Sequence, residues 1–195
     1  KGVDRRAVAP TGDDVSPPGL FQPAYFGISR RVKVVVVWGG CDGPGGIQTV
    51  ENPLVLRHGR YCIDFDDLDR KAADARMLVI CNPHNPVARV WSREELKGMM
   101  DIAEKHDLVV FSDEIHSDIV FTPHRHFPTL LLGEAARSRT IAAYATSKSF
   151  NLAGLQLSVI IIADPVLRAG YPRFLRNLHL TGSNIFGIVG TQTAY

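Results

Sequence analysis

Cysteine is scarce in this sequence. Among 195 residues only Cys41, Cys62 and Cys81 are cysteines. That is an odd number without CxxC spacing, so neither a paired disulfide framework nor a zinc knuckle is encoded, no metal site is expected, and a reducing, cytoplasmic setting is. A dominant charge of one sign is missing too. Lys and Arg total 22 against 20 Asp and Glu, a formal +2, too little to steer nucleic acid or an anionic membrane, and neither kind of partner is expected. Long hydrophobic runs are absent. The longest apolar stretch near the start, Val34 to Trp38, is far short of the roughly 20 residues of a membrane helix, and nothing resembles a signal peptide with a cleavage site. What remains is ordinary: 45% hydrophobic and 22% charged residues exclude wholesale disorder, collagen-like repeats and coiled coil. The length supports one α/β unit with its own core. The first residue is Lys1 rather than Met, and a helical pattern runs out at Tyr195, which reads as a piece of a longer chain.

Residues 1–50 stand apart as an atypical Pro/Gly-rich N-terminal part. Pro10, Pro17, Pro18, Pro23 and Pro44 and the run from Gly39 to Gly46 break any sustained period, and that run reads as a flexible loop rather than a phosphate cradle. Only Arg31 to Trp38 has the pattern of a strand there. From about Leu54, short apolar runs alternate with longer amphipathic ones, the rhythm of a mostly parallel sheet flanked by helices. Strands are expected at Met77 to Cys81, Leu108 to Ser112, Thr140 to Tyr144 and Ser158 to Ala163. The best-marked helix spans about 93–106: Ser92 serves as N-cap, Glu95 completes a capping box, and Leu96, Met99, Met100 and Ala103 recur at helical spacing. A second helix follows Asp164-Pro165, with Pro172 expected to kink or shorten it, and a third opens near Asn184 and runs to Tyr195.

Ligands of parallel α/β sheets sit at the carboxyl ends of strands, and three of the expected strands end in polar loops. Asn82-Pro83-His84-Asn85-Pro86 follows one, Asp113-Glu114-Ile115-His116 the next, and Thr146-Ser147-Lys148-Ser149-Phe150-Asn151 the third. Each alone has an ordinary reading, since strand-end Asp and Asn cap turns and a loop lysine is usually solvated. Together they supply what an aldehyde cofactor such as pyridoxal 5'-phosphate demands. It needs a lysine for a Schiff base, a carboxylate that keeps the pyridine nitrogen protonated so the ring acts as an electron sink, and a hydrogen-bonding amide on the phenolate side.

The segments Cys81 to Trp91, Ser112 to Phe121 and Thr146 to Leu155 resemble, in the right order, the class I/II aminotransferases of fold type I. Within that superfamily, Asp113-Glu114-Ile115-His116, His124-Arg125-His126 and the stretch Ser147 to Leu155 resemble most the MalY/PatB-type cystathionine β-lyases, which are carbon-sulfur lyases of amino-acid metabolism. The resemblance covers roughly residues 51–195. It implies that these belong to the large cofactor-binding domain, an α/β/α sandwich, and that the C-terminal small domain lies outside the chain. It implies Lys148 as the Schiff-base lysine, Asp113 as the pyridinium partner and Asn85 as the amide near the cofactor's 3′ oxygen. His116 stands where many aminotransferases carry a tyrosine toward that oxygen, Ser147 is the implied phosphate contact, and Tyr25 the implied ring-stacking residue. The implied substrate is a small amino acid and the implied assembly a homodimer. The implied reaction is β-elimination of cysteine S-conjugates such as L-cystathionine to thiol, pyruvate and ammonia. Amino transfer is the alternative on the same fold, and an inert fragment with only an association role is a second.

Departures from the family pattern are two. Gln156 stands where many aminotransferases have a phosphate-binding arginine, a position at which the lyase subgroup departs from them too. Ala88 stands where glycine is usual, which places a methyl group where φ > 0 would be resisted. With the phosphate loop and small domain outside it, this chain alone is expected to show little or no turnover. A hydrolase built from Ser147, His116 and Asp113 is set aside for want of a Gly-x-Ser-x-Gly elbow. For His116, His124 and His126, a surface or substrate-pocket role outweighs metal ligation.

Overall fold

A computed structural model describes residues 33–39, 47–180 and 182–195, all within the unit Arg31–Tyr195. Tyr25 and residues 40–46 lie outside the described residues. The chain enters through an antiparallel hairpin, β1 (Lys33–Gly39) and β2 (Ile47–Pro53). A two-stranded ribbon follows, β3 (Val55–Arg57) and β4 (Arg60–Cys62). Its connection is His58-Gly59 at φ 49° and 74°, the paired positive values of a tight primed turn, for which Gly59 is suited. Then come α1 (Phe65–Ala72), β5 (Met77–Cys81), α2 (Arg93–Lys105), β6 (Val109–Asp113), α3 (Glu134–Arg137), β7 (Thr140–Tyr144), β8 (Val159–Ile162), α4 (Pro165–Asn177) and α5 (Ile185–Ala194).

The main sheet has the order β2-β1-β5-β6-β7-β8. Its centre is parallel, β5 beside β6 and β6 beside β7, with α2 in the first crossover and α3 in the second. On the flanks, β1 pairs antiparallel with β5 and β8 antiparallel with β7. Between β7 and β8 the chain has only loop and one short helical turn, too little for the crossover that a parallel partner requires.

Local chemistry accounts for the helices. Ser92 Oγ accepts from Glu95 N at 3.1 Å while the Glu95 carboxylate accepts from Ser92 N at 2.8 Å, so the capping box expected from sequence is formed. Asp64 caps α1 in the same way, accepting from Asp67 N at 3.0 Å. Leu96, Met99, Met100 and Ala103 of α2 are buried with Leu68 of α1 and Leu78, Ile80 and Val110 of the sheet. Each large side chain so buried contributes roughly 1.5–3 kcal/mol. Gly98 lets the two helices close: a Cβ there would stand 2.8 Å from Cε1 of Phe65. Pro172 does not break α4, which runs through it for 13 residues. Arg168, whose carbonyl loses its helical donor, and Pro172 itself are exposed, so water replaces the missing bond.

Candidate active site

The three parallel strands deliver their carboxyl ends to one edge of the sheet. Cys81, Asp113 and Ala143 are register neighbours there. The ladder carries one bond further, Asn82 N donating to Asp113 O and Glu114 N to Ala143 O, both at 2.9 Å. Asp113 is therefore the last paired residue of β6, one position later than the apolar run suggested. Its backbone is fixed on both sides.

The loop after β5 is folded back on itself. His84 and Arg89 bridge, Asn82 Oδ1 accepts from Trp91 N at 3.0 Å, and Trp91 Nε1 donates to Cys81 O at 2.9 Å. Asn85 rides at its exposed tip. Ala88 adopts φ 53°, so the left-handed turn forms despite the methyl group, at a cost of about 1–2 kcal/mol that glycine would avoid. Arg89 locks the base of the loop with Glu95 at 2.6 Å and with the Tyr61 carbonyl, its guanidinium 4.6 Å from the Trp91 ring centroid.

Lys148 lies in the turn after β7. Thr146 Oγ1 meets Thr191 Oγ1 of α5 at 3.1 Å, Ser149 Oγ donates to Asp118 at 2.9 Å, and Tyr195 OH donates to the same carboxylate oxygen at 2.6 Å. Phe150 packs edge-on against Tyr195 at 5.4 Å. The turn is thus clamped by α5 and by the loop after β6, while Lys148 itself is exposed and makes no ion pair among the described residues. Ser147 beside it is half-buried.

Asp113 carries the electrostatics of the site. Burial raises its pKa above the ordinary range, opposed by the Ile115 N–H and by the charges of His116 and Lys148, with Glu114 adding to the rise. Lys148 and His116 therefore share its field. One carboxylate oxygen accepts from Ile115 N at 3.2 Å, and the other takes no hydrogen bond among the described residues. A half-desolvated carboxylate with one open oxygen, a free primary amine, an exposed amide and an imidazole at one sheet edge is a donor set that suits a protonated pyridine ring bearing an aldehyde.

Glu114, the next residue, does something else. Its carboxylate is fully buried and accepts from Ser112 Oγ at 2.9 Å, Thr129 N at 3.0 Å, His126 Nε2 at 2.7 Å and Tyr144 OH at 2.6 Å. Burial pushes its pKa up, but the four hydrogen bonds more than offset that and hold it below the usual glutamate range. Burial and the bond to Glu114 push the Tyr144 phenol up. His126 is consequently an inward-facing residue tied to Glu114, while His124 lines a surface cavity with His116. The His-Arg-His motif divides between two environments, and only His124 fits the pocket role expected from sequence. Sequence reading gave Glu114 no role; the signal available was a charged residue two positions after Ser112, on the buried side of the same strand.

A cavity of about 480 Å³ opens beside Asn85 and His116. Asp113, Ser147 and Lys148 are not in its wall, so it adjoins the lysine rather than containing it. Gln156 is exposed, at φ 47°. Sequence reading also gave no role to Arg60, which reaches this cavity from β4.

The profile of the family described as aminotransferase class I and II matches residues 52–184. The chain belongs to that family. Similar members include cystathionine beta-lyase PatB of Bacillus subtilis (strain 168), 40% identical over 193 residues, covering 97% of this chain and 46% of PatB. Protein MalY of Escherichia coli (strain K12) is 31% identical over 182 residues, 90% of this chain and 43% of MalY. Among solved structures, a PLP-bound C-S lyase from Staphylococcus hominis superposes with a TM-score of 0.66 at 37% identity, over 75% of this chain and 37% of that one. The chain spans less than half the length of the relatives it matches, the part of the class I/II fold that carries the strand-end loops described above.

Proposed function

We propose that this chain is the cofactor-holding part of a pyridoxal phosphate-dependent lyase that cleaves the C–S bond of cysteine S-conjugates. The observation that carries the reading is the convergence of Asn85, Asp113, His116 and Lys148 at the carboxyl ends of β5, β6 and β7. Likeness to PatB and MalY supports the choice of elimination over amino transfer.

Pyridoxal phosphate, when bound, supplies the electron sink for the pair released at Cα. Asp113 holds a proton at the ring nitrogen through its open oxygen. Asn85 and His116 orient the group through its 3′ oxygen, and the Ser147 hydroxyl donates to the phosphate. The free amine of Lys148 takes the Cα proton. As the Cα–H and Cβ–S bonds break, the thiolate leaves with the C–S electron pair, and water hydrolyses the remaining three-carbon enamine to pyruvate and ammonia. Tyr25, outside the described residues, is proposed as the aromatic that covers the ring. A homodimer in the cytoplasm is the setting proposed for the longer protein; no described helix is long and apolar enough to cross a membrane.

Borohydride reduction of the chain incubated with pyridoxal phosphate, followed by peptide mapping, is expected to place the adduct on Lys148. An adduct confined to another lysine overturns the assignment. Pyruvate and free thiol from L-cystathionine without any keto acid, measured on the longer protein, support elimination. Amino transfer on adding a keto acid, with no thiol released, moves the reading to an aminotransferase.

A further inference from the structure

The cavity beside Asn85 and His116 has a one-sided chemistry. Among the described residues no aspartate or glutamate contributes to its wall, while Arg60, His84, Arg89, His116 and His124 do. Not all of these are available to a ligand. Arg89 is engaged by Glu95, by the Tyr61 carbonyl and by the Trp91 ring. His84 is buried, and its Nδ1 donates to the Cys81 carbonyl at 3.3 Å; burial lowers its pKa, with the charge of Arg89 acting in the same sense, so it is neutral at pH 7. Arg60 is different. It is exposed, has no ion-pair partner among the described residues, and is presented by the tight turn at His58-Gly59 on the two-stranded ribbon. Opposite in character are Ile119 and Phe121, 44% and 80% exposed, which give the cavity an apolar wall.

We propose that this cavity receives the β-substituent of the substrate and selects one that ends in a carboxylate, with Arg60 as the group that recognises the anion and Ile119 and Phe121 as the wall for its methylene chain. The proposal rests on the lyase reading above and adds to it the chemical class of the thiol that leaves. The location supports it: Asn85 and His116 belong both to the cavity wall and to the proposed cofactor face, so a substituent entering the cavity is continuous with the reacting carbon. The volume of about 480 Å³ lies in the range of small-molecule pockets and leaves room for a short chain with its water. The charge supports it too, because a guanidinium with no carboxylate partner among the described residues can form a two-pronged bond to an incoming carboxylate without first breaking a bond to one of them.

The test compares S-(2-carboxyethyl)-L-cysteine with its isosteric amide, S-(2-carbamoylethyl)-L-cysteine. Both are titrated into the chain in the presence of pyridoxal phosphate, following the imidazole resonances of His116 and His124. The acid is expected to bind about two- to fivefold more tightly than the amide, as a charge-assisted pair with an exposed guanidinium does. Arg60→Gln should abolish that preference while leaving the amide's affinity unchanged. Arg57→Gln, on the neighbouring position of the same ribbon and outside the cavity wall, should retain it. Equal affinity of acid and amide for the unaltered chain, or failure of either compound to move either imidazole, overturns the proposal. An acid preference that needs Arg60 but occurs without thiol release from the longer protein supports the subsite and counts against the lyase reading, which separates the two.

Discussion

Removing the buried carboxylate of Glu114 should destabilise the chain more than any change at the exposed residues proposed to hold the cofactor. In Glu114→Ala, Ser112 Oγ keeps its 2.8 Å bond to Thr129 Oγ1. The Thr129 N–H, His126 Nε2 and the Tyr144 hydroxyl lose their acceptor. A buried donor left unpaired costs about 1–3 kcal/mol, and Thr129 is fully buried with His126 close to it. With the half-buried His126 and Tyr144 counted at the low end of that range, the loss is about 3–5 kcal/mol, as for other buried pairs stripped of one partner, and a large share of the roughly 5–15 kcal/mol that holds a domain folded. Glu114→Gln should cost only about 1–2 kcal/mol. Its carbonyl still serves Ser112 and Thr129, and its NH2 meets a tyrosine hydroxyl that can accept, while the imidazole can accept at Nε2 only by giving up the 3.4 Å contact of its Nδ1 with the Asn82 amide. Urea unfolding with an unchanged m-value measures both. Acid adds a second signature. The folded carboxyl titrates below its unfolded value of about 4.3, so its contribution is complete above that pH and is lost as pH falls through the folded pKa. Glu114→Gln should remove that part of the acid slope. A loss under about 1 kcal/mol for Glu114→Ala would show that the network is not held together by this carboxylate.

Three further outcomes are expected. Ser92→Ala should lower the unfolding free energy by about 1 kcal/mol, since it removes the cap of α2; no change would mean that Glu95 and Arg89 hold that helix start alone. Ala88→Gly should raise the unfolding free energy by up to about 1 kcal/mol, relief of the left-handed backbone exceeding the added freedom of the unfolded chain, and a lower stability contradicts the strain. Burial pushes the Cys81 thiol up to about 11, with the charge of Asp113 adding to the rise. Alkylation at Cys81 in the folded chain at pH 7 should therefore be slow and become fast only on unfolding; rapid labelling at pH 7 would refute it.

What sequence could convey here was local. The α2 boundaries follow from Ser92 and Glu95, whose reciprocal bonds form within one turn, and the strand positions follow from uninterrupted apolar runs such as Met77 to Cys81. The direction of β8 is not local, because apolar alternation is the same in either direction and only the lack of a crossover helix decides it. Neither is α1 easily read: Phe65–Ala72 is mostly charged, and only Phe65, Leu68 and Ala72 mark its buried stripe. The site divides in the same way. The strand-end placement of Asn85, Asp113 and Lys148 is legible because each ends or follows its own strand, whereas Arg60 reaches Asn85's cavity only through the placement of the β3–β4 ribbon. His126 reaches Glu114 across 12 residues of irregular loop.

Asp113 and Glu114 show how one edge of a sheet can hold two carboxylates in opposite states. Side chains along an extended chain alternate in direction, and Glu114, one position past the end of β6, is buried with Ser112 while Asp113 is turned the other way and half-buried. Glu114 is given four donors and titrates low; Asp113 is desolvated with one backbone donor and titrates high. The consequences for stability are opposite in sign. A carboxyl whose folded pKa exceeds its unfolded value favours folding most below the unfolded value, and that advantage is lost as pH rises through the folded pKa. The ionised form of Asp113 is therefore a burden to the fold. Asp113→Asn keeps an oxygen for the Ile115 N–H and removes the charge, so it should leave the chain at pH 7 as stable as before or more stable, while weakening its hold on pyridoxal phosphate. Urea midpoints and the visible absorbance of the cofactor-treated protein measure the two halves of this expectation. A loss of unfolding free energy above about 1 kcal/mol for Asp113→Asn would mean that the carboxylate is there to hold the fold and is not kept for a protonated ring nitrogen.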